Sequence, residues 1–274
     1  MRGVPLSSRQ IPNRSLGCRA ARVRFRTGPT GRSGEREDHA EPMGYAALYD
    51  PDLDFDRWYT DATGQVIAAD VTPGERILEL GCATGRMTAA LVRAGAEVEG
   101  IDREADYLAR ARERNLAGAT FHGGDVMRPP VDGGFDHVVL ANILHEVPDP
   151  RALLAVGAAH AVTGGAVHVT VPNPRSLHRL LALSMGLLNG LTDLGDRARQ
   201  FETLGFIETD AVEAWGVELG LRVTARRGIV LKPLPNDAMA ALDAAVVAGF
   251  VAVADLFPEH CALNYLCLRN GAGR

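Results

Sequence analysis

The sequence has 274 residues, 46% of them hydrophobic, which is enough for one large domain or two small ones with an ordinary core. A formal net charge of −5 argues against an extended nucleic-acid interface, and no apolar run approaches the ~18–20 residues that would span a bilayer. The four cysteines are scattered and form neither a disulfide framework nor paired metal-ligand spacing. We therefore expect a cytoplasmic protein without a membrane partner or a bound metal ion.

Residues 1–42 differ from the rest of the chain in charge. Nine arginines against four acids give this segment a charge of +5, which leaves −10 for residues 43–274. The segment has no helical or strand periodicity and no apolar signal core, so we predict a disordered basic tail. An Arg-rich mitochondrial presequence and a natural start at Met43 are alternatives. A solvated tail without function is favoured, because arginine is abundant throughout and Lys232 is the single lysine.

From residue 43 to residue 173, apolar runs alternate with helix-like segments. Residues 45–71 carry large apolar side chains at roughly helical intervals, which predicts one or two helices. Further helices are predicted near 85–94, 104–115 and 149–161, and strands at 76–80, 97–102, 119–125, 135–142 and 166–173. Crossovers of this length are typical of a parallel sheet covered by helices on both faces.

After Asn173 the alternation of apolar runs and helix-like segments becomes less regular. Predicted elements are an amphipathic helix at 176–188, a helix capped by Asp210 across 211–220, a strand at 221–232, one long helix at 236–257 opened by Asn236 or Asp237, and a last strand at 261–269. We predict that residues 43–274 form a single domain, in which residues 174–208 are an insertion or lid that helps to shape a substrate pocket.

The turn after the first strand, "LELGCATGR" (78–86), is built for close approach of a ligand to the backbone at a helix N-terminus. A dinucleotide fingerprint needs glycines at relative positions 1, 3 and 6, and here Arg86 occupies the last of these. No Gly-Lys-Ser/Thr follows, so a P-loop is also absent. Glu79 lies two residues before Gly81, where a carboxylate repels a pyrophosphate and suits a ligand with an ammonium and a sulfonium group. S-adenosylmethionine is such a ligand.

This turn resembles the first motif of class I S-adenosylmethionine-dependent methyltransferases, of the bacterial small-molecule type. Later segments resemble further motifs of that family in matching order: "GIDRE" (100–104), "FHGGDV" (121–126), "FDHVVLANILHEVPDP" (135–150) and "GGAVHVTVPN" (164–173). The resemblance covers about residues 60–173. It implies a Rossmann-like, doubly wound, mostly parallel seven-stranded sheet with an antiparallel last strand.

The resemblance also implies a set of cofactor-binding residues. Asp102 ends the second strand, where the family binds the ribose hydroxyls, and Asp125 with Val126 would lie at the adenine. Asn142 follows the fourth strand, beside the methionine part and the transferred methyl group. The remaining predicted cofactor residues are Glu79, Gly81, Ala83, Gly85 and Arg103. For the glycines and aspartates the rival interpretation is ordinary turn and capping chemistry.

His145 is the candidate catalytic residue, since it follows the fourth strand and could act as general base for a hydroxyl or amine acceptor. The alternative is that it merely begins a connecting segment. Tyr49, His178 and Arg179 are the candidate substrate residues, with surface placement as the rival for the last two. Aromatic side chains at Tyr45, Tyr49, Trp58 and Tyr59 could close over a sulfonium by cation–π contact, although helix packing explains them equally simply.

The predicted activity is transfer of a methyl group from S-adenosylmethionine to a small molecule, with a hydroxyl oxygen as the acceptor atom and in-line displacement as the mechanism. Nitrogen or carbon methylation of a secondary metabolite is the alternative within the class. Nucleic-acid methylation is disfavoured, since no Asn/Asp-Pro-Pro-aromatic or Pro-Cys motif occurs at the fourth strand. A catalytically silent cofactor-binding partner and a nicotinamide dehydrogenase are rivals from other classes. The sequence leaves a homodimer open.

Overall fold

The computed structural model describes residues 49–194 and 204–271. The predicted tail at residues 1–42 and the candidate aromatic residue Tyr45 lie outside the described residues. So does the part of the predicted lid from residue 195 to residue 203.

Seven strands form one sheet in the order β3-β2-β1-β4-β5-β7-β6. Their bounds are β1 Arg76–Leu80, β2 Glu97–Asp102, β3 Ala119–Gly123, β4 Phe135–Ala141, β5 Ala161–Pro172, β6 Leu221–Leu231 and β7 Cys261–Asn270. The first five strands pair in parallel, and β7 pairs antiparallel with both β5 and β6. The predicted fold, with its antiparallel last strand, is confirmed.

Eight helices connect these strands in the described part of the chain. Their bounds are α1 Arg57–Ala68, α2 Arg86–Arg93, α3 Ala105–Glu113, α4 Pro150–His160, α5 Leu177–Ser184, α6 Thr209–Glu218, α7 Asn236–Ala240 and α8 Ala244–Ala252. Three short 3₁₀ turns cover Leu144–Glu146, Ala254–Leu256 and Pro258–His260.

The central strands β1, β4 and β5 are buried on both faces: successive residues point to opposite sides, and both sides are covered. In β1, Ile77 joins an apolar cluster with residues of α1 and α2, whereas Leu78 joins a second cluster with residues of α4 and α6. Both side chains are fully buried. Two covered faces explain why the strands read as continuous apolar runs, as parallel sheets require.

Two helix predictions from the sequence are wrong. The expected single helix at 236–257 is two helices, because the Asp243 carboxylate accepts a hydrogen bond from Ala245 N (2.8 Å) and caps a new helix there. Pro235 precedes the first of them at the cap position. Asp210 does not cap α6, since that helix begins at Thr209 and the cap position is Glu208.

The parallel strands all end at one edge of the sheet, and the loops that follow them converge there. In an open α/β sheet this edge holds the ligand crevice, at the point where the strand order reverses. Here the reversal lies between β1 and β4, which are neighbours in the sheet although β2 and β3 separate them in the chain.

Candidate functional site

A cavity of about 830 Å³ opens at this edge of the sheet. Every predicted site residue except one lies in its wall: Tyr49, Glu79, Gly81, Ala83, Asp102, Arg103, Asp125, Val126, Asn142, His145, His178 and Arg179. These residues come from six separate segments between residue 49 and residue 179, so the fold brings together residues that are far apart in the sequence.

The loop between β1 and α2 forms one wall through its backbone. Gly81 has φ +83° and Ala83 has φ +44°, both in the left-handed region. The N–H groups of Gly81 and Cys82 both donate to Ile101 O, at 2.8 and 3.0 Å, which fastens the loop to the end of β2. A Cβ at Gly81 would lie 2.7 Å from Ile143 Cδ1, so the loop is also closely packed against the residues after β4.

Gly85 is the exception among the predicted cofactor residues, because it does not line the cavity. Its φ is +71°, and a Cβ there would lie 3.0 Å from Phe121 Cζ and 3.2 Å from Ala111 Cβ. The structure therefore places Gly85 behind the cavity wall, where tight packing accounts for the glycine and a ligand contact does not.

Asp102 ties two chain segments together at the end of β2. Its carboxylate accepts hydrogen bonds from Ala83 N (2.8 Å) and Glu104 N (2.9 Å), and the residue is 9% exposed. Arg103 points outward, with 74% of its side chain exposed. Asp125, after β3, accepts from Met127 N at 2.9 Å, which fixes the turn beside Val126.

Glu79 is buried in β1, with only 3% of the residue exposed, and accepts a hydrogen bond from Thr88 Oγ1 at 2.5 Å. Burial raises the pKa of Glu79 to about 8, an effect that the Thr88 hydrogen bond opposes and the charge of Asp102 reinforces. The carboxyl group is therefore mostly protonated near neutral pH. Burial thus favours the neutral form of a group that we predicted as a charged carboxylate, and a cation bound beside it would favour the ionised form.

Unpaired polar atoms concentrate in the cavity. Six buried side-chain polar atoms in the described part of the chain have no hydrogen-bond partner there, and five belong to residues of the cavity wall: Thr84 Oγ1, Asn142 Oδ1, His145 Nδ1, Thr170 Oγ1 and His178 Nδ1. Such atoms are rare in folded proteins, because an unmade buried hydrogen bond costs about 1–3 kcal/mol. A ligand with polar groups would satisfy them.

Buried histidines elsewhere in the sheet show the ordinary alternative. His137 Nε2 is hydrogen-bonded to Glu75 (3.0 Å), His137 Nδ1 to His168 Nε2 (2.8 Å), and His168 Nδ1 to the Tyr265 hydroxyl (2.8 Å). The core thus pairs its polar groups. The contrast supports a ligand as the missing partner in the cavity.

His145 lies in the 3₁₀ turn after β4 and is 6% exposed. Burial lowers the pKa of its imidazole to about 4, so the ring is neutral at physiological pH. Its Nε2 lies 3.9 Å from the Glu146 carboxylate, while Nδ1 has no partner among the described residues. A neutral imidazole with a free nitrogen can accept a proton or hold a polar group in place.

The predicted substrate residues differ in how they reach the cavity. The main-chain oxygen of Tyr49 accepts from the Tyr107 hydroxyl (2.6 Å), which holds the entry segment against α3. The guanidinium of Arg179 bonds to the main-chain oxygens of Leu191 and Asp193, so it is not a free surface group. Of the aromatic candidates, Tyr59 lines the cavity. Trp58 packs against the apolar cluster beside it.

Sequence reasoning missed Lys232 and Asn236, which follow β6 and also line the cavity. Lys232 is 5% exposed, and its ammonium group donates to Asn236 Oδ1. The sequence did contain a sign that Lys232 is special, since a lone lysine after the apolar run "GIVL" is unusual in a chain that otherwise uses arginine.

Arg86 was interpreted only as an obstacle to dinucleotide binding. The structure pairs its guanidinium with both carboxylate oxygens of Asp61 at 2.6–2.7 Å.

Two general searches of the described residues gave negative results. Within residues 49–194 and 204–271, no helix is long and apolar enough to cross a membrane. The same residues contain no group of three or more histidine, cysteine or acidic side chains placed to hold a metal ion.

Comparison with known proteins identifies the family. A family described as "Methyltransferase domain" matches residues 77–165, the stretch from β1 into β5. A ubiquinone biosynthesis O-methyltransferase of Methylococcus capsulatus is 29% identical over 169 residues, covering 60% of this chain and 70% of the relative. The chain is a class I S-adenosylmethionine-dependent methyltransferase.

This methyltransferase is also similar in sequence to a second known protein and in fold to a solved structure. A trans-aconitate 2-methyltransferase of Deinococcus radiodurans is 34% identical over 131 residues, covering 46% of this chain and 49% of the relative. The crystal structure of magnesium protoporphyrin IX methyltransferase from Synechocystis PCC 6803, with bound S-adenosylhomocysteine, superposes with a TM-score of 0.56. It is 15% identical and covers 85% of this chain and 90% of its own, which supports the fold alone.

S-adenosylmethionine is the cofactor of this methyltransferase. The residues present suit it chemically: a loop with a close-approach glycine, the carboxylate of Asp102 at the strand end, and five unpaired buried polar atoms around the cavity.

Proposed function

We propose that this methyltransferase methylates a hydroxyl oxygen of a small molecule. The observation that carries the proposal is the cavity of about 830 Å³ with five unpaired buried polar atoms in its wall. Ligand pockets for small molecules fall in the range of about 300–1,000 Å³ and place a few convergent polar groups in an otherwise apolar wall. The names of the relatives, a ubiquinone biosynthesis O-methyltransferase and a trans-aconitate 2-methyltransferase, agree with a small acceptor.

Within this proposal, the cofactor residues divide by segment. Asp102 receives the ribose hydroxyls, and Asp125 with Val126 borders the adenine. The Gly81–Thr84 loop and Asn142 hold the methionine part, where the unpaired Asn142 Oδ1 accepts from the ammonium group. Glu79 supplies negative charge beneath the loop once a cation is bound. Arg103, largely exposed, covers the outer side of the ribose.

The main contribution of the protein to the reaction is to align the two reactants. S-adenosylmethionine supplies a methyl group on a sulfonium, and the acceptor oxygen displaces it in line while the hydroxyl proton leaves. Alignment of the two reactants can provide most of the rate gain. We propose His145 Nδ1 as the proton acceptor, since it is neutral, buried and without a partner among the described residues. Its low pKa makes it a weak base, so its contribution is modest.

The proposal extends to partners and location. Tyr49, His178 and Arg179 border a small-molecule acceptor and not a nucleic acid, because they line a cavity of small-molecule size. A homodimer stays a prediction, and so does a cytoplasmic location, which rests on cysteine usage. The following experiment distinguishes methylation of a hydroxyl oxygen from methylation of nitrogen or carbon, and from cofactor binding without catalysis.

The test combines cofactor binding with an acceptor screen. Calorimetric titration should show S-adenosylmethionine binding to the wild type, binding weakened at least tenfold in Asp102→Ala, and no change in the control Asp106→Ala, an exposed aspartate one turn further on. Release of S-adenosylhomocysteine is then followed across hydroxyl, amine and thiol acceptors, and products are identified by mass spectrometry. Methylation only at nitrogen or carbon contradicts the acceptor atom. Tight binding without any turnover favours the silent partner.

A pH profile tests the proposed base. Because burial holds the pKa of His145 near 4, its basic form prevails above that pH, and kcat should stay level from pH 8 down to about pH 5. His145→Gln should lower kcat about tenfold and leave the cofactor dissociation constant unchanged. An unaltered kcat in that variant rules out His145 as the proton acceptor.

A further inference from the structure

Arg179 is a cation of the cavity wall that forms no ion pair with a described residue. Its Nε and Nη2 donate to Leu191 O at 3.2 and 2.9 Å, and Nη2 also donates to Asp193 O at 2.5 Å. The guanidinium lies 4.4 Å from the centre of the Phe206 ring. Its Nη1 makes no hydrogen bond to a described residue, and no carboxylate among those residues lies within 4.0 Å of it. Neutral main-chain oxygens therefore orient the group, and no described carboxylate forms an ion pair with it.

A second positive charge and an unpaired imidazole adjoin Arg179. The backbone N–H of His178 donates to Lys232 O at 3.1 Å, which joins the start of α5 to the end of β6. Burial, followed by the charges of Lys232 and Arg179, lowers the pKa of His178 to about 3, so its ring is neutral. His178 Nδ1 has no partner among the described residues. The imidazole can therefore give one hydrogen bond to a ligand that the two cations attract.

The acidic groups around this corner are engaged elsewhere. The Asp193 carboxylate accepts from the backbone and side-chain nitrogens of Asn189, both at 3.2 Å, although its charge still raises the pKa of Arg179. The Asp56 carboxylate accepts from Asn236 Nδ2 at 2.9 Å. The Glu146 carboxylate lies 3.9 Å from His145 Nε2. Burial is the larger influence on Arg179 and lowers its pKa, as expected for a half-buried cation with no ion pair to a described carboxylate.

We propose that the methyl acceptor carries a carboxylate, and that this carboxylate binds Arg179 Nη1 beside the imidazole of His178. The inference rests on the proposed function of the cavity and narrows its acceptor class to hydroxylated carboxylic acids. A guanidinium is the side chain best suited to a planar carboxylate, because its N–H groups are directional and its charge persists at every physiological pH. An uncharged amide of the same shape would satisfy the geometry but not the charge.

The test compares matched pairs of probes that differ only in charge. Salicylate with salicylamide, and 3,4-dihydroxybenzoate with 3,4-dihydroxybenzamide, are titrated into the protein loaded with S-adenosylhomocysteine. We expect each carboxylate to bind at least tenfold more tightly than its amide. In Arg179→Gln this preference should fall to about one, and Arg179→Lys should keep part of it because the charge remains. Arg175→Gln is the control, since Arg175 is exposed, does not line the cavity and changes the net charge equally.

Arg179 also holds the loop at Leu191 and Asp193, so the Gln variant is checked for cofactor affinity and melting temperature. A purely structural role weakens the binding of acid and amide alike and leaves their ratio unchanged, which overturns the proposal. Equal affinity of acid and amide for the wild type, or no binding of any carboxylate probe, overturns it as well. The proposed methylation is judged separately by turnover of neutral hydroxyl acceptors, so either idea can fail alone.

Discussion

The two halves of the cavity are built differently. The cofactor half follows strands β1 to β4, and its two aspartates are tied to backbone N–H groups: Asp102 to Ala83 N and Glu104 N, and Asp125 to Met127 N. Three other polar atoms of this half, Thr84 Oγ1, Asn142 Oδ1 and His145 Nδ1, have no partner among the described residues. The acceptor half follows β5 to β7 and includes α5, and there Thr170 Oγ1 and His178 Nδ1 have no partner among the described residues.

The turns of the cofactor half are preformed by hydrogen bonds to the backbone. In the acceptor half, the ligand itself must complete the polar contacts. Backbone hydrogen bonds hold the cofactor half in one geometry before anything binds, which reduces the ordering cost of binding. Both halves leave some polar atoms unmet, but at Thr170 and His178 no aspartate tied to the backbone accompanies them, so affinity in the acceptor half depends on how well one molecule satisfies these atoms. Changes in the first half should therefore act on cofactor binding and stability together, and changes in the second half on acceptor choice.

The largest expected effect comes from a larger side chain at Gly81, which should disrupt the preformed loop of the cofactor half. Gly81→Val places a β-branched residue at φ +83° with its Cβ 2.7 Å from Ile143 Cδ1, and we expect cofactor affinity to fall at least a hundredfold. Gly164→Val is the matched control, because Gly164 has the same φ of +83° with nothing within 4 Å of its Cβ position. Calorimetry with S-adenosylmethionine measures the affinity, and thermal unfolding measures the strain.

Both glycine variants should lose stability by about 1–2 kcal/mol, since each forces a side chain into the left-handed region. Only the Gly81 variant should lose cofactor binding. If both variants bind S-adenosylmethionine as the wild type does, the loop is not the preformed part of the site.

The next test removes one of the two bonds that Asp102 makes to the backbone. In Asp102→Asn the amide nitrogen cannot accept a hydrogen bond, so either Ala83 N or Glu104 N loses its partner. We expect the free energy of unfolding to fall by about 1–2 kcal/mol and cofactor affinity to fall by about tenfold or more. Chemical denaturation and calorimetry measure the two effects. A loss of affinity with stability unchanged shows that Asp102 acts on the ligand alone.

Proton release on cofactor binding sharpens the same contrast at Glu79. Because burial raises its pKa to about 8, the group is mostly protonated at pH 7, and an arriving cation should displace that proton. We expect release of up to about one proton per site between pH 6.5 and 7.5, and none attributable to this residue in Glu79→Gln. Titrations in buffers of different ionisation enthalpy measure the release. Equal release from wild type and variant contradicts the assignment.

The raised pKa of Glu79 also predicts how the stability of the folded state changes with pH. A carboxyl group whose folded pKa of about 8 exceeds its ordinary 4.5 stabilises the folded state at low pH and loses that contribution as pH rises through 8. The lowered pKa values of His145, His168 and His178 act in the opposite direction below pH 6.5. Comparing wild type with Glu79→Gln from pH 6.5 to 8.5 isolates the carboxyl group, and the variant should show the flatter curve.

The sequence predicted the framework well because strand patterns and turn residues are local signals. All seven strands were anticipated, and β1 and β2 agree residue for residue with their predicted bounds. The broken helix at 236–257 was missed because a continuous apolar pattern hides the local hydrogen bond by which Asp243 starts a new helix. Most cofactor candidates follow strand ends, so the sheet gathers them without further information.

The acceptor half was less predictable because its contacts join distant parts of the chain. Asn236 bonds to Asp56, 180 residues earlier, and Lys232 bonds to Asn236. Nothing local to Asn236 in the sequence indicates its contact with Asp56. At Gly85 the sequence predicted a ligand contact that the structure does not show. The glycine is needed because the ring of Phe121, in β3, leaves little room for a Cβ there.

The smallest expected effect comes from Ala83, the loop residue held at φ +44°. Ala83→Gly relieves the strain of a left-handed alanine, about 1 kcal/mol, but also gives the unfolded chain more freedom, which offsets much of that gain. We expect stability to change by less than about 1 kcal/mol. Cofactor affinity should stay within about threefold, because the backbone N–H that bonds to Asp102 is retained. Asn115→Gly, at φ +49° and away from the cavity, is the matched control. A tenfold loss of affinity confined to Ala83→Gly would mean that the alanine itself stiffens the loop, and that preorganisation of the cofactor half rests on this side chain as well as on the hydrogen bonds of Asp102.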